Sequence, residues 1–350
     1  MEVKTIILYT MLAAIFFLGV SLSVWLYLTY TKQAAPEDAV LTRNLAVYSD
    51  VMKPAPLTCP TDNLLTDYCV AGSGHTVVPG TTVYTYITTD AITKVVEGGA
   101  RIVELAVYAV DKMPVVGVGN DKSLMLTYNT LPFEDCCIAI ANVAFKSTSP
   151  FILSLVFHTE DTVILNKCAD ILKMTLRKFM LDSSYSYQRK NLALEPVCNL
   201  LGKLVIVSGD HHKGNGMDEL VNLSWSSSLC RRLTYTQASQ TYDYDELITF
   251  NRRNITLVVP DLADASMENK NAEVALAFGC QWILMNYGSL DNAMELYTGR
   301  FVEASFIVKP EALRYKPVTY TAPPPQNPNV SFQPKRMVSP IFDYTVGSVQ

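Results

Sequence analysis

The sequence predicts an α/β chain: a (β/α)8 TIM-type barrel with an N-terminal transmembrane helix and an extended C-terminal tail. Three observations carry the prediction. Short apolar runs alternate with helical patterns from Tyr68 to Val308, eight runs in all, which is the rhythm of a parallel barrel more than of an open sheet. Residues Thr5 to Thr31 hold no formal charge over 27 positions. From Lys316 onward, Pro323, Pro324, Pro325, Pro328, Pro334 and Pro340 recur among Tyr320, Phe332, Phe342 and Tyr344.

The uncharged run comes first. A bilayer core needs about 20 apolar residues in a helix, so residues 5–31 span one with some tilt. Tyr9, Trp25, Tyr27 and Tyr30 fall near its ends, where amphipathic rings prefer the interface. A cleaved leader has an apolar core of roughly 7–15 residues. This run is longer, and Lys32-Gln33-Ala34-Ala35-Pro36 is a poor cleavage site. Residues 1–34 therefore read as a retained single-pass anchor, with the lipid bilayer as partner, followed by a polar stalk over 35–60. Lys32, Arg43 and Lys53 against Lys4 and the amino terminus lean towards a cytosolic barrel. Acceptor triplets at Asn222, Asn254 and Asn329 lean the other way.

Next comes the barrel, over 61–315. Strands are expected at 68–73, 101–110, 114–119, 151–157, 203–208, 255–259, 281–286 and 305–308. Helices are expected at 90–97, 133–146, 163–181, 242–253 and 267–278. Residues 209–235 are polar, with Gly214, Gly216 and a serine cluster, and read as a linker between a first half (61–208) and a second half (236–315). The tail, 316–350, offers aromatic anchors on an extended segment that could dock in a partner's groove.

Composition narrows the function. A net charge of −5 lacks the clustered basic face that nucleic acid favours, and the pairs Arg231-Arg232 and Arg252-Arg253 read as solvated loop or helix ends. Eight cysteines include no Cys-X-X-Cys, so neither a zinc ribbon nor a thioredoxin-like centre is suggested. Cys136-Cys137 reads as core, while Cys59 and Cys69 flank a polar loop and could bridge under oxidising conditions. The four histidines, His75, His158, His211 and His212, all fall at C-terminal strand ends, the chemical face of such barrels. With Glu104 and Asp210 nearby a metal site is conceivable, but no two share ligand spacing on one element, and a mouth retained by descent is the simpler reading. Asp111, Asp121 and Asp161 read as loop or cap residues.

Several stretches carry a resemblance. Phe250 to Ile255, Gly279 to Tyr287 and Phe306 to Arg314, in order and correctly spaced, resemble the closing half of phosphoinositide-specific phospholipase C barrels. Ser73 to Thr76, Arg101 to Leu105, Pro114 to Asp121, Phe151 to His158 and Lys203 to Asp210 resemble the opening half. That family uses two histidines as general base and acid, and a Ca²⁺ held by oxygen ligands to neutralise charge on phosphorus. On the matched positions His75 corresponds to the first histidine and Glu104 to one calcium carboxylate. The others differ: Thr76 and Ala106 stand at two ligand positions, Val156 at a third, and Asn120 at the second histidine. Ser208 and Asp210 replace phosphate-binding lysines, and Asp264 falls near the clamping arginine.

Loss of one general acid costs roughly 10²–10⁴ in rate, and calcium sites gather six to eight oxygens. The resemblance with these departures implies a pseudoenzyme with no cofactor or metal, in which His75 and Glu104 are vestigial and hydrogen-bonded to each other. The expected role is structural or docking, with protein partners on the barrel surface and tail, and it suits a virion membrane or capsid component of a large DNA virus. A lipid-headgroup or inositol-phosphate binding module is the alternative, and an active phosphodiesterase the third reading.

Overall fold

The computed structural model describes residues 3–49, 63–119, 124–261, 267–289, 291–317 and 334–346. Helix α1 (Val3–Ser49) contains the apolar stretch Ile7–Leu28, of mean hydropathy 2.2, with none of it buried against the rest of the chain. At 1.5 Å per residue these 22 residues reach about 33 Å, the thickness of a bilayer core; an apolar N-terminal helix of this kind is either a membrane span or a signal sequence. The expected stalk differs from the structure in its first part, because α1 continues to Ser49. Leu41, within that continuation, is fully buried in a cluster with Ala91 and Val95. A buried leucine is worth roughly 1.5–3 kcal/mol, which explains why helix persists beyond the apolar run.

The strands, in chain order, are β1 (Tyr68–Ser73), β2 (Ile102–Val110), β3 (Met113–Gly117), β4 (Leu131–Pro132), β5 (Phe151–Phe157), β6 (Leu204–Ser208), β7 (Leu223–Ser224), β8 (Cys230–Thr234), β9 (Ile255–Val259), β10 (Trp282–Met285) and β11 (Phe306–Val308). Eight pair in parallel in the order β7-β6-β5-β2-β1-β10-β9-β8, a nearly closed barrel whose ladder ends at β7 and β8. The remaining helices are α2 (Thr89–Glu97), α3 (Phe133–Val143), α4 (Thr162–Leu176), α5 (Tyr235–Ser239), α6 (Tyr244–Asn251), α7 (Glu273–Ala277) and α8 (Asn292–Arg300).

The expected fold and the number of barrel strands agree with the structure, but two of the eight differ. Residues 114–119 and 305–308 lie outside the parallel ring: β3 returns antiparallel on β2, and β11 runs antiparallel to β1. Their places are taken by β7 and β8, inside the stretch read as a linker. The miss has a physical cause. Leu223–Ser224 is too short for periodicity to register, and Cys230-Arg231-Arg232-Leu233-Thr234 carries two charges that mask its alternation. Asp111 and Lys112, at φ 49° and 60°, form the two-residue turn that sends β3 back along β2.

Alternate residues of each strand face opposite ways, and both faces are buried. Val70, Ile102, Ile152, Val205, Leu257, Trp282 and Leu284 fill the interior. Val103, Leu105, Leu153, Leu155 and Ile206 pack outward against α3 and α4, and Ala71, Val258, Ile283 and Met285 against the other helices. Burial on both faces is why the strands read as continuous apolar runs.

The motif residues behind the resemblance hold this scaffold. Gln281, wholly buried, donates to the carbonyls of Asn251 (2.7 Å) and Asn254 (2.9 Å) and to Thr66 Oγ1 (2.9 Å), and accepts from Thr256 N (3.0 Å). Lys309 Nζ, also buried, donates to Asn251 O at 2.8 Å. At the same end the Arg101 guanidinium bonds Ala144 O and lies 5.3 Å from the Phe151 ring, and at the opposite end Asn286 Nδ2 holds Met267 O at 2.9 Å. Such groups are costly to leave unpaired at roughly 1–3 kcal/mol each.

Residues 316–350 form a second unit. Within it β12 (Lys335–Val338) and β13 (Asp343–Val346) make an antiparallel hairpin joined by an Arg336–Asp343 pair, where a wholly extended tail was expected. Phe342 and Tyr344 are exposed, with rings 5.4 Å apart. Tyr320, Pro323 to Pro325, Pro328, Asn329 and Phe332 lie outside the described residues.

Candidate functional site

The C-terminal ends of β1, β2, β5 and β8 surround a cavity of about 230 Å³ lined by His75, Glu104, Ala106, Val156, His158 and Arg232, among others. A smaller cavity of about 170 Å³ adjoins it through Val156 and adds Ser208, Asp210, His211 and Trp225. The alternation that places Ile102 and Ile152 inside places Glu104, Ala106, Ser154 and Val156 on the same inner row, closer to the mouth.

Glu104 is 5% exposed, and both its oxygens are engaged. Oε1 lies 3.0 Å from Arg232 Nη2, and Oε2 accepts from Ser154 Oγ at 3.1 Å. The expected His75–Glu104 hydrogen bond is therefore replaced by Arg232 and Ser154. Arg232, read from the sequence as part of a solvated pair, instead enters the mouth from β8, with its guanidinium 5.6 Å from the Trp225 ring and its Nε buried without a partner. Its neighbour Arg231 points outward to Glu246 and the Phe250 ring. The available signal was parity: Cys230 and Arg232 share one face of β8, and Cys230 belongs to the interior.

His75 follows β1 in a left-handed conformation, φ 49°, uncommon outside glycine. Burial, partly offset by Glu104, pushes its pKa down to about 4, so the imidazole is neutral at neutral pH. His158, at the end of β5, stacks on Tyr108 at 4.4 Å, and its pKa is lowered by burial and then by Arg232. His211 lines the smaller cavity, 3.8 Å from Glu160. His212 turns away and is fully buried beside Tyr187, neither ring nitrogen bonded, its pKa pushed to about 4 by burial. The structure thus brings His75, His158, Glu104 and Arg232 together and leaves His212 out.

The donor set does not fit calcium. Ala106 and Val156 carry no side-chain oxygen, Thr76 Oγ1 accepts from Glu104 N (3.3 Å) while donating to Ser73 O (3.0 Å), and Glu104 is already paired with the Arg232 guanidinium. Among the described residues no cluster of three histidine, cysteine or acidic side chains could hold a metal ion. Ser208, wholly buried, donates to Leu155 O (2.9 Å), and Asp210 faces Lys213 at 3.7 Å. Asp161 caps α4 through Val163 N (2.9 Å), and Asp111 is a turn residue, as expected. Asn120, Asp121 and Asp264 lie outside the described residues.

Cys136 and Cys137 are core. A Cys59–Cys69 bridge is not formed: Cys69 is a buried free thiol, and Cys59 lies outside the described residues.

Comparison with known proteins shows what this chain is similar to. Residues 61–209 match the family described as phosphatidylinositol-specific phospholipase C, X domain. The chain is similar in fold to the crystal structure of S. officinalis PLC21, with a TM-score of 0.65 and 19% identity over 74% of this chain and 38% of that one. For L. pealei PLC21 the values are 0.65 and 19%, over 75% and 40%. The chain thus spans about two fifths of the proteins it resembles. No curated protein sequence matches it.

Proposed function

We propose that this barrel, an X domain over residues 61–209 on a phospholipase C-type fold, is a membrane-attached pseudoenzyme that serves as a structural or docking component. One observation carries the reading: Glu104 is bonded to Arg232 where the resemblance puts a calcium ligand, with Ala106 and Val156 beside it. A guanidinium fixed on that carboxylate neutralises the charge that would draw a divalent cation. The apolar helix Ile7–Leu28 supports attachment to a bilayer, and the exposed rings of Phe342 and Tyr344 support docking of the tail, since aromatic anchors dominate many interfaces. A place in a virion membrane is the narrowest form of this reading, tested by whether the chain co-purifies with particles. The decisive experiment assays hydrolysis of phosphatidylinositol and its phosphates with and without calcium. No turnover is expected; turnover that disappears in His75→Ala overturns the proposal.

A second reading has its own support. His75, His158 and Arg232 line one cavity of about 230 Å³, enough for an anionic headgroup to be held without being cleaved. Calorimetric titration with inositol phosphates separates the two: saturable binding lost in Arg232→Gln favours the binding module.

A further inference from the structure

Six of the eight cysteines are buried free thiols: Cys69, Cys136, Cys137, Cys168, Cys230 and Cys280. Burial raises the pKa of Cys69 to about 11 and of Cys136, Cys168, Cys230 and Cys280 to about 12, so none offers a reactive thiolate. Cys198 stands apart. It is disulfide-bonded and only half-buried, in the short turn Val197–Leu200.

That turn lies at the end of the barrel opposite the mouth, against the segment that leads into β1. Leu65 N donates to Glu195 O (2.8 Å), Val197 N donates to Asn63 O (3.1 Å), and Leu64 and Pro196 form a bridge. With six cysteines free, the sequence leaves Cys59, four residues before Asn63, to complete the bond.

We infer that Cys198 is oxidised with Cys59, and that the barrel resides in an oxidising compartment, across the membrane from the cytosol. The bond forms by thiol–disulfide exchange with a protein disulfide donor. One thiolate attacks the donor disulfide and the second displaces the donor, which leaves as a dithiol with the two electrons; the two thiol protons go to solvent or to the donor. Disulfides persist in the secretory lumen and at cell or particle surfaces and are rare in the cytosol. The high thiol pKa values explain how six other cysteines stay reduced beside such a bond without exchanging.

The native glycan acceptor Asn222 is a poor reporter of this placement. Asn222 is 3% exposed, its Oδ1 accepting from Ile206 N (2.8 Å) and its Nδ2 donating to Tyr185 O (3.3 Å). An exposed acceptor can be made at Asp182, which precedes Ser183 and Ser184 and caps Ser184 N at 2.8 Å; asparagine caps equally well.

The test uses the full chain in eukaryotic cells with a secretory pathway. Free thiols are blocked in denaturant before reduction, and peptides are mapped by mass spectrometry. The Cys198 peptide should be recovered joined to that of Cys59, with Cys69, Cys136 and Cys280 alkylated. Asp182→Asn should gain an endoglycosidase-sensitive mass increment that the parent lacks. Should that variant fail to accumulate, Lys173→Asn, ahead of Met174 and Thr175 on the exposed face of α4, replaces it. Alkylation of Cys198 without prior reduction overturns the inference. An intact bond with neither acceptor glycosylated overturns the compartment, and Cys198 joined to any other cysteine overturns the pairing.

Discussion

Arg232 and Glu104 are 128 residues apart in the chain and 3.0 Å apart in the barrel mouth. The pair ties β8 to β2 across the barrel and sets the charge of the cavity. Removing one partner of a buried pair costs about 3–5 kcal/mol; with Arg232 26% exposed, Arg232→Ala should lose roughly 2–3 kcal/mol. Chemical denaturation of the detergent-solubilised chain measures it, and an unchanged midpoint would show that the pair is a surface contact.

Calcium binding should be recoverable by design. Ala106→Asp and Val156→Glu, combined with Arg232→Ala, would place three carboxylates on the inner row around the mouth. Weak calcium or terbium binding is expected, with a dissociation constant on the order of 10⁻⁴–10⁻³ M, and none in the parent by luminescence or calorimetry. Comparable binding by the parent would contradict the account of the site.

Stability should fall in mild acid. The folded-state pKa of His75 is about 4, below the ordinary value of 6.5. Between those values the unfolded chain binds a proton that the folded chain does not, so stability is greatest above pH 6.5 and declines as pH falls towards 4. The slope is on the order of 1 kcal/mol per pH unit, and His212 adds in the same direction. Unfolding midpoints from pH 4 to 7 should drop less steeply in His75→Gln; identical slopes would place the effect elsewhere.

Gln281 closes the network at the foot of the barrel. Gln281→Ala would orphan Thr256 N and weaken the satisfaction of two carbonyls, at a cost of about 3 kcal/mol or more. Loss of cooperative unfolding or a lower midpoint is expected, while His158→Ala, at the opposite end, should change stability less.

Deleting 317–350 should leave the barrel folded, because residues 1–315 form a unit of their own, and should weaken partner capture. Each aromatic anchor lost with the tail, Phe342 and Tyr344 among them, contributes roughly 2 kcal/mol if it fills a pocket. Pull-down from native membranes with unchanged yield would remove the tail from the binding account.

What the sequence by itself determined were the features set by local pattern: the apolar helix, the alternation of buried strands and helices, the motif order that resembles a phospholipase C barrel, and the absence of side-chain oxygen at Ala106 and Val156. Each depends on residue type at a position, which the sequence states directly. The tertiary structure decided what depends on distant residues meeting. Closing a sheet into a ring brought Arg232 from a stretch read as a linker onto Glu104, a contact that no local periodicity encodes. It also demoted 114–119 and 305–308 to antiparallel appendages, because a strand's partner is set by backbone hydrogen bonds and not by its own apolar content. It separated His212, turned into the core, from His75 and His158 at the mouth, although all lie at strand ends. Burial and orientation are properties of the packed molecule, and they turned four equivalent histidines into different groups.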